Sequence, residues 1–218
     1  MSVTGGLLRA VTLTNPDGKP VAGKLSPDGR SWTSSEPLDY GQTYIWSGTA
    51  AGSTPMTVPV TGSFTTVEPR QLVRATLNIG DGDTVGIAAP VILQFDDHVA
   101  DKAAVERALQ VQTSVPTEGS WAWLPDADGG SRAHYRTRDY WQPGTQVRVA
   151  AKLYGVAYGD GSYGKQDLST FFTIGRSQIV KADVNSHRMI VIRDGQEVMN
   201  FPASYGLASD PRRHTTNG

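Results

Sequence analysis

His98, His134, His187 and His214 are the side chains of this sequence whose protonation changes near neutral pH, so acid–base or nucleophilic chemistry would be built around one of them. None has the company that such chemistry requires. The chain contains no cysteine, which excludes a thiolate nucleophile, a thiolate metal site and a disulfide within these residues. Serine, histidine and aspartate are all present, yet no Gly-x-Ser-x-Gly elbow occurs. Asp96-Asp97-His98 gathers metal-ligand types, but they are consecutive at the end of a strand pattern and lack companion ligands at recognisable spacing. The run reads as a loop, and neither a metal nor another cofactor is expected.

Three further groups suit binding rather than reaction. Arg212-Arg213-His214 could greet an acidic peptide, although a charged cluster of this kind reads first as a solvated loop. Trp121, Trp123, Tyr135, Tyr140 and Trp141 could form a platform for a glycan; in a β-sandwich such rings more often fill or rim a core. Tyr205, in the turn Ser204-Tyr205-Gly206, reads first as a turn tyrosine resting on its neighbours.

The elements that must position these residues are strands. Twenty lysines and arginines against 21 aspartates and glutamates leave a formal charge of −1, with no basic field for nucleic acid or an anionic membrane surface. No apolar run is long enough to span a bilayer, and Met1-Ser2-Val3 does not start a signal peptide. Twenty-four glycines and 13 prolines, spread along the chain, punctuate short strands with turns. Apolar–polar alternation predicts strands over Leu7 to Leu13, Val21 to Leu25, Ser31 to Ser34, Thr43 to Gly48 and Val58 to Thr66. Glu68-Pro69 interrupts this series, because proline offers no amide donor, and marks a boundary. A second series follows: Ala75 to Ile79, Pro90 to Phe95, Leu109 to Thr113, Trp121 to Leu124, Ala133 to Thr137, Thr145 to Lys152 and Ser169 to Ile174. Only Lys102 to Leu109 has helical spacing, with Asp101 as N-cap.

The two series resemble each other faintly, Trp32 and the strand from Thr43 standing where Tyr135 and the strand from Gln146 stand later. Each closes on a Phe-Thr strand, and strands at this spacing predict two immunoglobulin-like sandwiches in an all-β chain. The first copy is the shorter and reads as N-terminally incomplete. After Gly175 come strands from Gln178 to Val184 and from Arg188 to Ile192, a tight turn on Asp194-Gly195, and a return over Glu197 to Phe201. So small a sheet needs a partner, and the second sandwich is expected to cover Met189, Val191, Val198 and Phe201.

Phe172-Thr173-Ile174-Gly175, Ile179 to Asn185, the Asp194-Gly195 hairpin, Pro202-Ala203-Ser204-Tyr205-Gly206 and Thr215-Thr216-Asn217-Gly218, in that order, resemble the start of a mycobacterial L,D-transpeptidase catalytic domain of the YkuD type. The preceding sandwiches resemble the tandem bacterial Ig-like domains of the same proteins. The resemblance implies an Ig-like domain over residues 1–67, a second over 68–174 and the first strands of the catalytic domain over 175–218. It implies an extracytoplasmic, actinobacterial peptidoglycan enzyme, membrane-anchored through a segment before Met1, monomeric and inhibited by carbapenem β-lactams. In that family a cysteine attacks the stem tetrapeptide at meso-diaminopimelate, expels D-alanine, and passes the acyl group to a second stem as a 3→3 cross-link; the turn that Ser204-Tyr205-Gly206 matches has its middle residue near the substrate groove, so the resemblance implies substrate contact for Tyr205. The family's Ser-His-Gly-Cys motif and its upstream histidine match no residues of this sequence, so they are expected beyond Gly218 and the chain is expected to be inactive by itself. A non-catalytic module that holds cell-wall polymer is the competing reading.

Overall fold

Alternation of inward apolar and outward polar side chains sets the strands of the structure, a computed structural model describing residues 1–52, 56–206 and 212. In chain order they are β1 (Leu7–Thr14), β2 (Gly23–Leu25), β3 (Trp32–Ser34), β4 (Thr43–Ala51), β5 (Thr57–Thr65), β6 (Gln71–Val73), β7 (Ala75–Leu77), β8 (Thr84–Val85) and β9 (Val91–Phe95). After the helix α1 (Lys102–Arg107) come β10 (Leu109–Thr113), β11 (Gly119–Ala127), β12 (Gly130–Thr137), β13 (Gln146–Ala151), β14 (Ala157–Gly159), β15 (Ser162–Gly164) and β16 (Leu168–Ile174). A last group comprises β17 (Gln178–Asp183), β18 (Arg188–Arg193) and β19 (Gln196–Pro202). The fold is all-β apart from α1. It divides into two units, Met1–Val73 with Tyr154–Lys165, and Arg74–Leu153 with the residues from Gln166 onward.

In the first unit, β1, β4 and β5 form one sheet and β2 pairs with β3. Leu8, Leu13, Trp32 and Tyr44 are its buried core, and Trp46 meets Trp32 edge-on at 5.1 Å. The segment from Tyr154 to Lys165 joins this unit through β15, which runs parallel to β6. Tyr154 donates its hydroxyl to the Leu38 carbonyl at 3.0 Å, and Tyr40 donates to that of Gly164 at 2.8 Å.

The second unit stacks two four-stranded sheets, ordered β11-β12-β9-β7 and β10-β13-β16-β8. Val91 and Tyr135 from the first meet Val147, Val149, Phe172 and Ile174 from the second in one core, with Trp141 at its edge. The helix forms where its spacing predicts it. Asp101 caps it by accepting from the Ala104 amide at 2.9 Å, and it stops at Arg107 because the Ala108 amide bonds back to Val105. The turn at Asp128 and Gly129, both at positive φ, joins β11 to β12 and lets them run nearly to the hairpin tip. Gly130 lies so close to the Phe95 carbonyl that no side chain fits there.

The three-stranded sheet β17-β18-β19 differs from the sequence expectation. Cross-strand partners point to the same side, so Val180, Val191 and Met199 share a face with Ala182, Met189 and Phe201. A bulge at Val198 places Met199 and Phe201 on that face. It is not covered by the second sandwich, Met189 and Phe201 being 36% and 43% exposed, and Val198 at the bulge is 45% exposed. The opposite face makes the contact, through Ile179 against the sandwich core.

Candidate functional site

Tyr205 follows β19, and its placement comes from a short chain of polar contacts. Asp183 closes the turn between β17 and β18 by accepting from the Asn185 amide at 3.0 Å and the Ser186 hydroxyl at 2.7 Å. The Ser186 hydroxyl first, then the Asn185 amide, hold its carboxyl below the ordinary value. His187 leaves that turn at φ 53°. Arg188 opens β18 and is tied across to β19 by its Nε on Asn200 Oδ1 at 2.6 Å. The half-buried Tyr205 donates its hydroxyl to the Arg188 carbonyl at 2.7 Å, which brings its ring to 6.3 Å from the His187 imidazole. The turn predicted over Ser204-Tyr205-Gly206 is therefore strapped to the start of β18. Arg213, His214 and Thr215 to Gly218 lie outside the described residues, and Arg212 is exposed.

His98 and His134 are held apart from this corner. Asp96 accepts from the Arg74 amide at 2.8 Å and Asp97 from the His98 amide at 2.7 Å, so both carboxylates shape their loop. The His98 Nδ1 meets Asp126 Oδ2 at 2.6 Å, while Ser131 donates to the other oxygen of Asp126 at 2.9 Å. That pair lowers the Asp126 carboxyl below its ordinary value, the His98 contact contributing most. Here aspartate stands between serine and histidine, so no imidazole is aimed at the hydroxyl and the order is wrong for nucleophilic catalysis. Asp126 and Ser131 lie more than 25 residues from His98, and nothing in their local pattern signals the meeting. His134 lies on the outer side of β12; burial first, then the charges of Arg132 and Arg136, hold its imidazole below the ordinary value. No group of three or more His, Cys, Asp or Glu side chains among the described residues is placed to hold a metal ion.

The five-membered aromatic group separates. Tyr135 and Trp141 are buried. Trp121 meets Tyr135 edge-on at 5.4 Å, and Trp123 stacks on Phe95 at 5.8 Å with its Nε1 donating to Glu106. Tyr140 alone stands out in solvent, 60% exposed.

The profile of a family described as bacterial Ig domain matches residues 1–157, a span that holds every strand from β1 to β13. The chain belongs to the bacterial Ig domain family. This Ig-domain chain is also similar over its whole length to two curated proteins of Mycobacterium tuberculosis. It is 54% identical to L,D-transpeptidase 5 over 218 residues, 100% of this chain and 48% of that protein. It is 39% identical to L,D-transpeptidase 2 over 221 residues, 100% of this chain and 52% of that protein. The chain thus spans about half the length of the curated relatives it matches. Among solved structures, an LD transpeptidase in complex with imipenem superposes with a TM-score of 0.51 at 29% identity, covering 69% of this chain and 59% of that one. These likenesses agree with the sequence reading of Ig-like sandwiches leading into the start of an L,D-transpeptidase domain.

Proposed function

We propose that this chain is part of an L,D-transpeptidase, with Ig-like domains over residues 1–67 and 68–174 and the first strands of the catalytic domain over 175–218. The observation that carries this reading is the similarity to L,D-transpeptidase 5, which runs through β17, β18 and β19 as well as the Ig-like units. A domain profile alone would leave the catalytic identity open, because a sandwich hosts many functions. In the complete protein a cysteine thiolate attacks the carbonyl of meso-diaminopimelate in a donor stem tetrapeptide. The bond to the terminal D-alanine breaks, D-alanine leaves with a proton, and a thioester remains. The side-chain amine of a second diaminopimelate then displaces the thiolate, giving the 3→3 cross-link. Since this chain has no cysteine, the thiolate comes from outside it.

The chain's own contribution is positioning. The Ig-like units act as a spacer on the outer side of the membrane, in a monomer anchored through a preceding segment. Tyr205 borders the stem-peptide groove, a role supported by its fixed ring beside His187 at the end of the entrance sheet. Carbapenems acylate the complete enzyme, a proposal supported by the imipenem complex of the structural relative. The test is product analysis: the complete protein, given disaccharide-tetrapeptides carrying meso-diaminopimelate, should yield dimers whose fragmentation places the new amide between two diaminopimelate residues. Only 4→3 dimers, or none, would reject the assignment.

A further inference from the structure

Two adjacent hollows of about 290 and 190 Å³ lie in the second unit, and both are lined by Thr137, Arg138, Asp139 and Tyr140. The loop from Ile87 to Ala89 walls the larger one, and the segment from Val115 to Glu118 walls the smaller. Their shared wall is firmly built. Trp141, 2% exposed, donates its backbone amide to the Ile87 carbonyl and its Nε1 to that of Ala89, both at 2.9 Å. Arg138 donates its amide to the Glu118 carbonyl at 2.9 Å and its guanidinium to the Glu118 carboxylate at 3.2 Å. Burial of Trp141 at the next position thus holds Tyr140 outward on a fixed loop. Tyr140 is the most exposed aromatic ring among the described residues and makes no ring contact or hydroxyl hydrogen bond with any of them. The Arg136 guanidinium and the Asp139 carboxylate beside it likewise have no hydrogen-bond partner among the described residues.

The chemistry of the lining narrows the ligand. Arg136 and Arg138 are balanced by Asp139 and Glu118, so no surplus charge draws an anion. Of the lining residues only Arg136 and Thr137, at the end of β12, belong to a strand, too short a stretch for an extended peptide to join along. What remains is an exposed ring face flanked by planar donors and acceptors. A sugar presents the complement: axial C–H groups that rest on a ring, and vicinal hydroxyls that both accept and donate. Together the hollows fall within the range of about 300–1,000 Å³ usual for ligand sites, and a ligand occupying both would lie along the shared wall from Thr137 to Tyr140.

We infer that these hollows form one binding site for an uncharged, polyhydroxylated glycan chain, with Tyr140 as its stacking platform. The inference rests on the cell-wall reading above for the source of the glycan, and it gives the second Ig-like unit a hold on the strands whose peptides are cross-linked. The test is a titration of this chain, ¹⁵N-labelled, with a tetramer of β-1,4-linked N-acetylglucosamine, followed by amide shifts. Shifts are expected at Ala88, Glu118 and Thr137 to Tyr140, with binding about tenfold weaker in Tyr140→Ala and in Arg136→Ala while the melting temperature is unchanged. Both side chains are exposed; if one variant fails to fold, the other decides. Absence of shifts there, equal affinity in the variants, or stronger binding of an acidic peptide at the same amides would overturn the inference. Because the titration reads no cross-linking, it succeeds or fails independently of the transpeptidase assay.

Discussion

Replacing Phe201 by serine should have different consequences in this chain and in the complete protein, and the difference follows from one uncovered sheet face. Val180, Met189, Met199 and Phe201 are 54%, 36%, 48% and 43% exposed, on the same side of β17, β18 and β19. Fully burying a side chain of this size is worth about 1.5–3 kcal/mol, so covering the exposed half of each adds about 1 kcal/mol, roughly 4 kcal/mol in all. If the rest of a catalytic domain supplies that cover, Phe201 is half-buried here and a core residue there. Phe201→Ser should then cost about 1 kcal/mol in this chain and, once the cavity left in a closed core is added to the lost burial, about 3–5 kcal/mol in the complete protein. Tryptophan fluorescence reports on this sheet only indirectly, because none of Trp32, Trp46, Trp121, Trp123 and Trp141 lies within β17, β18 or β19. Hydrogen exchange read by mass spectrometry on peptides from Arg188 to Pro202 measures its local opening free energy directly. Equal losses in the two proteins, within about 0.5 kcal/mol, would show that nothing in the complete protein covers this face.

Two further substitutions test the second sandwich. Gly130→Ala places a methyl against the Phe95 carbonyl and the Asp97 amide, backbone groups that cannot move aside separately, and should cost about 1–3 kcal/mol in urea denaturation. Asp101→Ala removes the acceptor that the Ala104 amide uses and should cost about 1 kcal/mol, read as an earlier midpoint with an unchanged denaturant slope.

Most of the fold is legible in the sequence because alternation survives burial. Val91, Leu93 and Phe95 point inward on β9, as do Val147, Val149 and Ala151 on β13, and both strands stand near their predicted limits. Asp101 and Asp194-Gly195 announce a helix start and a hairpin through local chemistry alone. The short strands β6, β8, β14 and β15 escape such a reading. Two or three residues cannot display a period, and β6 and β8 exist only through parallel pairing with β15 and β16, more than 80 residues away. The covered face of the last sheet is misread from sequence for a related reason: the bulge at Val198 changes which residues share a side, and only the register reveals it. The turn that carries Tyr205 is legible in Ser204-Tyr205-Gly206, while its bond to the Arg188 carbonyl and the contact between His98 and Asp126 depend on tertiary approach. Tyr140 cannot be separated by sequence from the core aromatics because its neighbour Trp141 has the same character and the opposite burial.

Under the proposed function, the nucleophile of the enzyme lies outside the residues described above, in the remainder of the same protein. Intact mass after incubation with imipenem reads this placement without any substrate. The complete protein should gain one carbapenem per molecule, mapped by peptide analysis to a cysteine, while this chain, which has none, should gain nothing. A stoichiometric adduct on this chain, or none on the complete protein, would contradict that placement.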